Sequence, residues 1–281
     1  MINEELEFSG ERYVTSLHND NTIEHLHRYA LALEFVKDKV VLDLACGEGY
    51  GSSLMSELAK EVIGIDNSQS TINHAKAKYQ RDNLYFICAN AVNTTLSTHS
   101  VDAVISFETI EHLIEQEEML VEVIRVLKPD GLLIISSPDK KYYSDLTGHK
   151  NPFHLKELYF AEFKHLLKIH FTNCTFLLQR VTYGSIINVE SSTADLKFYT
   201  GNVIKVERCD TLASPVYNIA VCSNREIPQV CNSFFEDLSI INNAFKDITQ
   251  ALNALKNSGT FRIGKVILAP KRFLYRLFKK A

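Results

Sequence analysis

Glycines and carboxylates in the first third of the chain have the spacing of a cradle for a ribose-containing cofactor. A β-branched run, Val40–Leu44, carries Asp43 and is followed by Gly47 and Gly49. A second apolar run ends in Asp66, 66 − 47 = 19 positions after the first of these glycines. Glycine lets the backbone come close to a ligand and tolerates a positive φ. Because a carboxylate at the tip of the next strand can accept hydrogen bonds from both ribose hydroxyls, the pattern predicts a nucleoside site.

The spacing of the glycines distinguishes between two cofactor classes. The dinucleotide fingerprint is G-x-G-x-x-G beneath a pyrophosphate, whereas this chain has Gly47-x-Gly49-x-Gly51, with Asp43 four residues before the first glycine. An acid at that position would repel a pyrophosphate, but it suits the cationic amino group of a methionine moiety. The pattern therefore favours S-adenosylmethionine, and a nicotinamide oxidoreductase is the disfavoured alternative.

Residues 41–49, V-L-D-L-A-C-G-E-G, resemble the first motif of the class I S-adenosylmethionine-dependent methyltransferases, V-L-D-L-G-C-G-x-G. Ala45 stands where that family usually has glycine, which matters only if the position needs a positive φ. The resemblance continues in order through residues 38–138, at Asn83–Ala91, Val101–Leu113 and Leu127–Ser136. It implies a Rossmann-like α/β fold with a doubly wound, mostly parallel, seven-stranded sheet, and S-adenosylmethionine as the cofactor.

The same resemblance implies a set of cofactor contacts at the carboxyl ends of the strands. We expect the methionine portion at Asp43, Ala45, Gly47 and Gly49, the ribose at Asp66, the adenine edge at Asn67, Asn90 and Ala91, and Phe107 beside the cofactor. Asn90 replaces the usual acid and offers both a donor and an acceptor. Arg12 is a candidate partner for the methionine carboxylate and Tyr13 a candidate cover for the pocket, with ordinary helix packing as the alternative for both.

Two histidines are the candidate catalytic residues. Methyl transfer from a sulfonium needs orientation above all, and a base is needed only where the acceptor's proton is hard to lose. His112, just past the fourth strand, is the first candidate base, and the alternative is that it caps the next helix or holds the turn. His154 is the second, as acceptor ligand or alternative base. No compact cluster of Asp, Glu and His stands out, so no metal site is predicted; Glu108 receives no role, and Arg28 is expected at the surface or in packing.

The acceptor is inferred from a less specific resemblance. Ser9–Val14, Glu24–Tyr29, Asn151–His154 and the basic tail are similar to methyltransferases that accompany bacterial surface-polysaccharide synthesis. This implies O-methylation of a sugar hydroxyl or a phosphate-type group on a capsule or lipopolysaccharide precursor. A small aromatic or quinone-like acceptor is the alternative. A cofactor-binding partner without turnover is a further hypothesis from a different class.

Composition excludes several other classes. The 281 residues are 46% apolar, enough for one large core or a core with an appendage. The formal charge of −4 gives no electrostatic footprint for nucleic acid. The six cysteines form no C-x-x-C pair, which favours reduced thiols. Without a basic, then apolar, leader pattern or an apolar run long enough for a membrane span, the expected location is cytoplasmic.

The chain divides by composition into three parts: an N-terminal segment and helix, 1–37; the methyltransferase domain, 38–225, with an acceptor loop at about 138–155; and a helical, basic amphipathic tail, 226–281. Late strands are predicted at 176–183, 203–208 and 217–223, the last two as the antiparallel pair that finishes the sheet. Residues 231–255 have helical apolar spacing, which would suit a homodimer contact. From Lys256 onward the tail has eight Lys or Arg and no acid, which predicts docking either on its own domain or at an anionic membrane face or partner.

Overall fold

The fold was analysed in a computed structural model that describes residues 20–182, 197–201, 205–236 and 249–258. Its contacts divide the chain into two units, Met1–Phe235 and Glu236–Ala281. Within the described ranges, no helix has both the length and the apolar character that crossing a bilayer requires.

The described residues of the first unit form five α-helices and nine strands. The helices are α1 Asp20–Leu33, α2 Tyr50–Met55, α3 Gln69–Lys78, α4 Gln116–Val126 and α5 Phe160–His170. The strands are β1 Val40–Leu44, β2 Glu61–Asp66, β3 Leu84–Cys88, β4 Val101–Ser106, β5 Leu127–Pro138, β6 Asn173–Gln179, β7 Phe198–Gly201, β8 Val206–Cys209 and β9 Tyr217–Ser223. A 3-10 turn, Ile110–His112, follows β4, and a π-helical turn, Lys141–Asp145, follows β5.

Seven strands form one sheet in the order β3-β2-β1-β4-β5-β9-β6. The pairs from β3 through β5 are parallel, and β9 is antiparallel to both of its neighbours. This confirms the predicted doubly wound, mostly parallel, seven-stranded sheet. The chain builds outward from β1 to β3 and then returns to β4 beside β1, so the strand order reverses between β1 and β4. Ligands of such sheets bind outside the carboxyl ends of the strands at that reversal.

Helices cover both faces of the sheet, because alternate residues of the strands point to opposite sides. Val41 of β1 belongs to a core cluster with residues of α1, α2 and α3. Leu42, the next residue, belongs to a second cluster with residues of α4 and α5. Burial on both faces explains why these strands are continuous apolar runs rather than alternating ones.

The structure corrects the predicted order of the late strands. The strand that completes the sheet beside β9 is β6, whereas β8 pairs with β7 in a separate two-stranded sheet. The prediction that 203–208 would pair with 217–223 was wrong because both edges of β9 are occupied, one by β5 and the other by β6.

Parts of two predicted helices differ as well. The apolar spacing after Leu155 predicts a helix over residues 155–169, but in the structure this helix, α5, begins at Phe160. In the predicted helix 231–255, residues 231–236 are not helical and 249–257 are helical; the part between them lies outside the described residues. The basic tail beyond 258 and the candidates Arg12 and Tyr13 also lie outside them.

Candidate functional site

The turn after β1 forms the glycine-rich cradle that the sequence predicts. Gly47 has φ 52° and Gly49 has φ 88°, and Gly49 caps the N-terminus of α2. Ala45 also has a positive φ, 61°, and is exposed at the carboxyl edge of the sheet. A left-handed conformation is strained for any residue with a Cβ. The departure from glycine at Ala45 therefore falls at a position that does need positive φ.

Gly51, the third glycine, makes room for a neighbouring aromatic side chain. A Cβ at this position would lie 1.9 Å from Cζ of Tyr29, so the ring of Tyr29 occupies the space that any larger residue would need. Tyr29 in turn packs edge-on against Phe107, with ring centroids 5.1 Å apart. Helix α1, which precedes the sheet in sequence, thus fills the space beside the cradle.

Asp43 is almost completely buried at the end of β1. Its Oδ2 accepts a hydrogen bond from Ser52 Oγ at 2.5 Å, and its Oδ1 accepts one from Tyr29 Oη at 3.4 Å. Burial raises the pKa of Asp43 to about 7, and the neighbouring carboxylate of Asp66 adds to the rise, although the two hydrogen bonds oppose it. The predicted contact of Asp43 with a methionine ammonium stays a prediction.

Asp66, at the end of β2, faces the same cradle. Its Oδ2 accepts from the backbone N–H of Gly47 at 3.2 Å, and its Oδ1 accepts from the backbone N–H of Ser68 at 2.9 Å. Asp66 therefore ties the glycine turn to β2.

The residues predicted near adenine lie along the ends of β2 and β3. Asn67 and Asn90 are exposed, and Ala91 is half-buried. The Oδ1 of Asn90 accepts the backbone N–H of Val92 at 3.0 Å, which leaves the side-chain amide nitrogen as its donor toward a ligand. Phe107, directly after β4, is buried against Tyr29.

Fully buried Arg28 and half-buried Glu108 form an ion pair that the sequence does not predict. Arg28 is 1% exposed; its Nη1 lies 3.4 Å from Glu108 Oε1, its Nε donates to Gln179 Oε1 at 2.8 Å, and its guanidinium lies 4.4 Å from the ring centroid of Tyr217. Glu108 has a strained φ of 52°. Its side chain accepts from Ser136 Oγ at 2.6 Å, while Ser136 Oγ accepts its backbone N–H at 3.1 Å. Such strain concentrates at functional sites.

His112 has a defined tautomer. Its Nδ1 lies 2.9 Å from the carbonyl oxygen of Phe153, which can only accept. Nδ1 therefore carries the proton and Nε2 carries the lone pair of the neutral ring. The half-buried side chain stands at the end of β4, on the edge where the reversal of strand order places a ligand.

His154 is brought beside His112 by the acceptor loop. The two rings lie with centroids 5.0 Å apart. His154 Nδ1 donates to Glu157 Oε1 at 2.6 Å, and its Nε2 accepts from the Asn151 amide at 2.9 Å. The orientation of Asn151 is fixed because its Oδ1 accepts the backbone N–H of Phe153 at 3.0 Å. Both nitrogens of His154 are therefore engaged.

The acceptor loop is held by hydrogen bonds to the 3-10 turn after β4. The backbone N–H groups of Leu155 and Lys156 donate to the carbonyl oxygen of Glu111 at 2.9 and 3.0 Å. Gln116 Nε2 donates to the carbonyl oxygens of Ile110 and Lys156. These bonds explain why α5 begins only after this segment, since its backbone pairs with the turn instead.

Glu111 is the site residue that sequence reasoning missed. Its side chain is 1% exposed, and neither carboxylate oxygen has a hydrogen-bond partner among the described residues. Burial raises the pKa of Glu111 well above its usual range, and the nearby carboxylate of Glu108 adds to the rise. A ligand atom from each of Glu111, His112 and His154 lies within 4.8 Å of the other two.

Comparisons with known proteins give matches to methyltransferases. Residues 42–135 match the family described as "Methyltransferase domain". A protein of Mycolicibacterium smegmatis named "Probable S-adenosylmethionine-dependent methyltransferase" is 35% identical over 166 residues, which are 58% of this chain and 64% of that protein. A protein of Bradyrhizobium diazoefficiens named "Ubiquinone biosynthesis O-methyltransferase" is 32% identical over 106 residues, 37% of this chain and 42% of that protein. The chain thus spans less than two thirds of the length of each of these curated relatives.

A solved structure supports the fold independently. The S-adenosylmethionine-dependent methyltransferase of Archaeoglobus fulgidus superimposes with a TM-score of 0.52 at 19% identity, covering 72% of this chain and 92% of that one. At this level of identity the likeness concerns the fold. The matched family contains the cradle and the turn with Glu111 and His112, but ends before the acceptor loop with His154.

Proposed function

We propose that the chain is a class I S-adenosylmethionine-dependent methyltransferase, with residues 42–135, which match the family described as "Methyltransferase domain", as its core. We propose further that it transfers a methyl group from S-adenosylmethionine to a hydroxyl oxygen. The observation that carries the choice of a hydroxyl is the tautomer of His112. Its Nε2 lone pair, at the end of β4, can take a proton from a group whose own pKa lies far above neutrality.

The reaction is an in-line displacement. The acceptor oxygen attacks the methyl carbon, the sulfonium leaves as the neutral thioether S-adenosylhomocysteine, and the hydroxyl proton passes to His112 Nε2. Holding the three reacting atoms in a row supplies most of the rate enhancement. The rigid fastening of the acceptor loop to the turn after β4 supports this role, since it fixes one wall of the site.

The proposed cofactor contacts follow the carboxyl ends of the strands. Asp66 accepts the ribose hydroxyls, and the buried carboxylate of Asp43 stabilises the methionine ammonium. The cradle of Ala45, Gly47 and Gly49 borders the methionine, whereas Asn67, Asn90, Ala91 and Phe107 border the adenosine. Arg12 and Tyr13, from outside the described residues, remain candidates to close the pocket.

For the acceptor, we propose a sugar hydroxyl or phosphate-type group of a bacterial surface-glycan precursor. The acceptor loop supports a polar substrate: Tyr143 and Asn151 flank His154, and Lys140, Lys141 and Lys150 supply cationic charge that suits a phosphorylated precursor. The sequence resemblance of this loop and of the basic tail to polysaccharide-associated methyltransferases supports the same choice.

A small aromatic or quinone-like acceptor is the second candidate. The specific observation in its favour is the similarity to the Bradyrhizobium protein that is named for ubiquinone biosynthesis. The ring of Tyr143, stacked on His154 at a centroid distance of 5.2 Å, is also a surface on which an aromatic ring could pack.

The basic tail suggests where the reaction takes place. We propose that residues beyond 259 dock the chain on the inner membrane face or on a glycan-assembly partner, and that 231–255 contributes to a homodimer. Liposome co-sedimentation of the full chain and of a chain ending at Gly259 tests the first idea, and equal sedimentation of the two would contradict it. Light scattering tests the second.

The central experiment has two stages. Calorimetric titration with S-adenosylmethionine and S-adenosylhomocysteine, with NADH as the control, should show binding of the first two. Release of S-adenosylhomocysteine is then measured against nucleotide sugars, lipid-linked glycans and catechols, and the product is identified by mass and NMR. Cofactor binding with no methyl release to any acceptor would favour the non-catalytic partner, and methylation of catechols alone would favour the second candidate.

A further inference from the structure

Three side chains with metal-binding atoms meet where the acceptor loop reaches the turn after β4. One ligand atom from each of Glu111, His112 and His154 lies within 4.8 Å of the others, and Glu111 Oε1 is 3.9 Å from His112 Nε2. A cation with bonds of about 2.1 Å separates two tetrahedral ligands by about 3.4 Å. The observed spacing is up to about 1.4 Å wider than this (4.8 − 3.4 Å), so the three side chains must draw together around a bound cation.

Glu111 supplies an independent indication of a missing partner. Its carboxylate is 1% exposed, and within the described part of the chain both oxygens are buried without a hydrogen bond. Buried polar groups are almost always paired, and a buried carboxylate is costly unless it is neutralised, paired or bound to a metal. A cation at this position would satisfy Glu111 directly.

The two imidazoles have the outer partners that metal ligands usually have. His112 donates from Nδ1 to the carbonyl oxygen of Phe153, and His154 donates from Nδ1 to the carboxylate of Glu157. Such bonds fix the tautomer so that Nε2 presents its lone pair, and they raise the basicity of the ring. The Asn151 amide that bonds His154 Nε2 must move aside for a cation to bind.

We infer that Glu111, His112 and His154 form a binding site for a divalent first-row transition metal. Two imidazoles and one carboxylate suit Zn²⁺, Fe²⁺ or Co²⁺ better than Mg²⁺ or Ca²⁺, and three protein ligands leave a position open for an oxygen ligand. The role of the cation rests on the proposed function, but its binding does not. A hydroxyl bound to the cation ionises near neutral pH and releases its proton to water, so His112 then acts as a ligand instead of a base.

The test uses the full chain, stripped with EDTA and dialysed into metal-free buffer. Co²⁺ is titrated while the visible absorption is recorded, and Zn²⁺ binding is measured by calorimetry. The variants are Glu111→Gln, His112→Ala and His154→Ala, with His165→Ala, an exposed histidine of α5, as the matched control. Affinity for S-adenosylmethionine is measured for each variant, because retained affinity shows that the domain still folds.

We expect one Co²⁺ per chain with d–d bands that Zn²⁺ abolishes, and a loss of Zn²⁺ affinity of at least about tenfold in each of the three variants but not in the control. The site would be overturned by the absence of saturable uptake at millimolar metal, by unchanged Zn²⁺ affinity in variants that still bind the cofactor, or by a cysteine-to-cobalt charge-transfer band. If the variants do not fold, the Co²⁺ spectrum of the unsubstituted protein alone decides whether the site exists. Methyl release without metal binding would overturn this inference and leave the proposed function standing, whereas metal binding without methyl release would do the reverse.

Discussion

The imidazole rings of His112 and His154 lie with their centroids 5.0 Å apart and their planes at 87° to one another. The two side chains come from segments that the backbone fastens together through the carbonyl oxygen of Glu111. Their hydrogen-bond partners differ: His112 Nδ1 donates to a backbone carbonyl, whereas His154 Nδ1 donates to a carboxylate. In the proposed function, His112 takes the reacting position and His154 a supporting one.

Removing the imidazole of His112 should therefore affect chemistry rather than cofactor binding. We expect His112→Ala to lower kcat by about 10²-fold or more, the usual contribution of a positioned proton acceptor. The affinity for S-adenosylmethionine should be unchanged by calorimetry. His165→Ala is the matched control. Turnover of at least half the unsubstituted value in His112→Ala would remove this residue from the mechanism.

Replacing Asp66 should weaken binding of the cofactor. Asp66→Ala removes the acceptor for ribose and also the partner of the Gly47 and Ser68 backbone N–H groups. We expect a loss of affinity of at least about tenfold for both S-adenosylmethionine and S-adenosylhomocysteine, since each lost hydrogen bond to a charged group contributes about 1.5–3 kcal/mol. Asp82→Ala, at an exposed position before β3, should bind both ligands normally. Equal affinities in the two variants would contradict the ribose assignment.

Ala45→Gly should stabilise the protein. At φ 61° a Cβ is strained, and glycine removes that strain at the cost of greater freedom in the unfolded chain. We expect a net gain of about 1 kcal/mol in the free energy of unfolding, measured by urea denaturation. Ala30→Gly, inside α1, is the opposite control and should lose about 1 kcal/mol. A loss of stability in both variants would mean that Ala45 is not strained.

The pKa of Asp43 predicts how stability varies with pH. Because burial raises this pKa from 3.8 to about 7, the folded protein binds a proton that the unfolded chain has released throughout that range. The contribution of Asp43 to stability is therefore fully present below the unfolded pKa and is lost as the pH rises to about 7. The groups that face the carboxyl are Ser52, Tyr29 and the carboxylate of Asp66.

Cofactor affinity should change in the opposite direction. A methionine ammonium favours ionised Asp43, so S-adenosylmethionine should bind about tenfold more tightly at pH 8 than at pH 6, with proton release at the lower pH. Calorimetry in buffers of different ionisation enthalpy measures both effects. Asp43→Asn should flatten the pH dependence of stability and of affinity. A steep dependence that survives in this variant would assign it to another group.

The sequence allows the first five strands to be predicted because each motif there is local. Asp43, Gly47 and Asp66 mark strand ends directly, and alternation of strands and helices fixes the parallel sheet. The late strands depend on pairing between distant segments. The runs 203–208 and Asn173–Gln179 are comparable strand patterns, and only the occupied edges of β9 decide which one joins the sheet.

The site, too, could be predicted only where its residues belong to local motifs. The positions of Gly47, Asp66 and His112 at strand ends follow from their motifs, whereas the approach of His154 to His112 depends on how a loop folds back. Glu111 stands beside a histidine in a polar stretch, and nothing in that pattern indicates that its carboxylate is buried. Arg28 has the polar neighbours of a surface residue, so its burial against Tyr217 becomes evident only from the packing of α1.

The fit between Gly51 and Tyr29 also constrains how this protein can diverge. Since a methyl group at position 51 would overlap the tyrosine ring, alanine there becomes acceptable only in a background where position 29 has already become smaller. If Tyr29 is replaced first by a smaller residue, a void opens beside Phe107 and Asp43 loses its hydrogen bond from the tyrosine hydroxyl. The two positions are therefore epistatic, and the order of the substitutions determines whether an evolutionary path between related sequences stays folded.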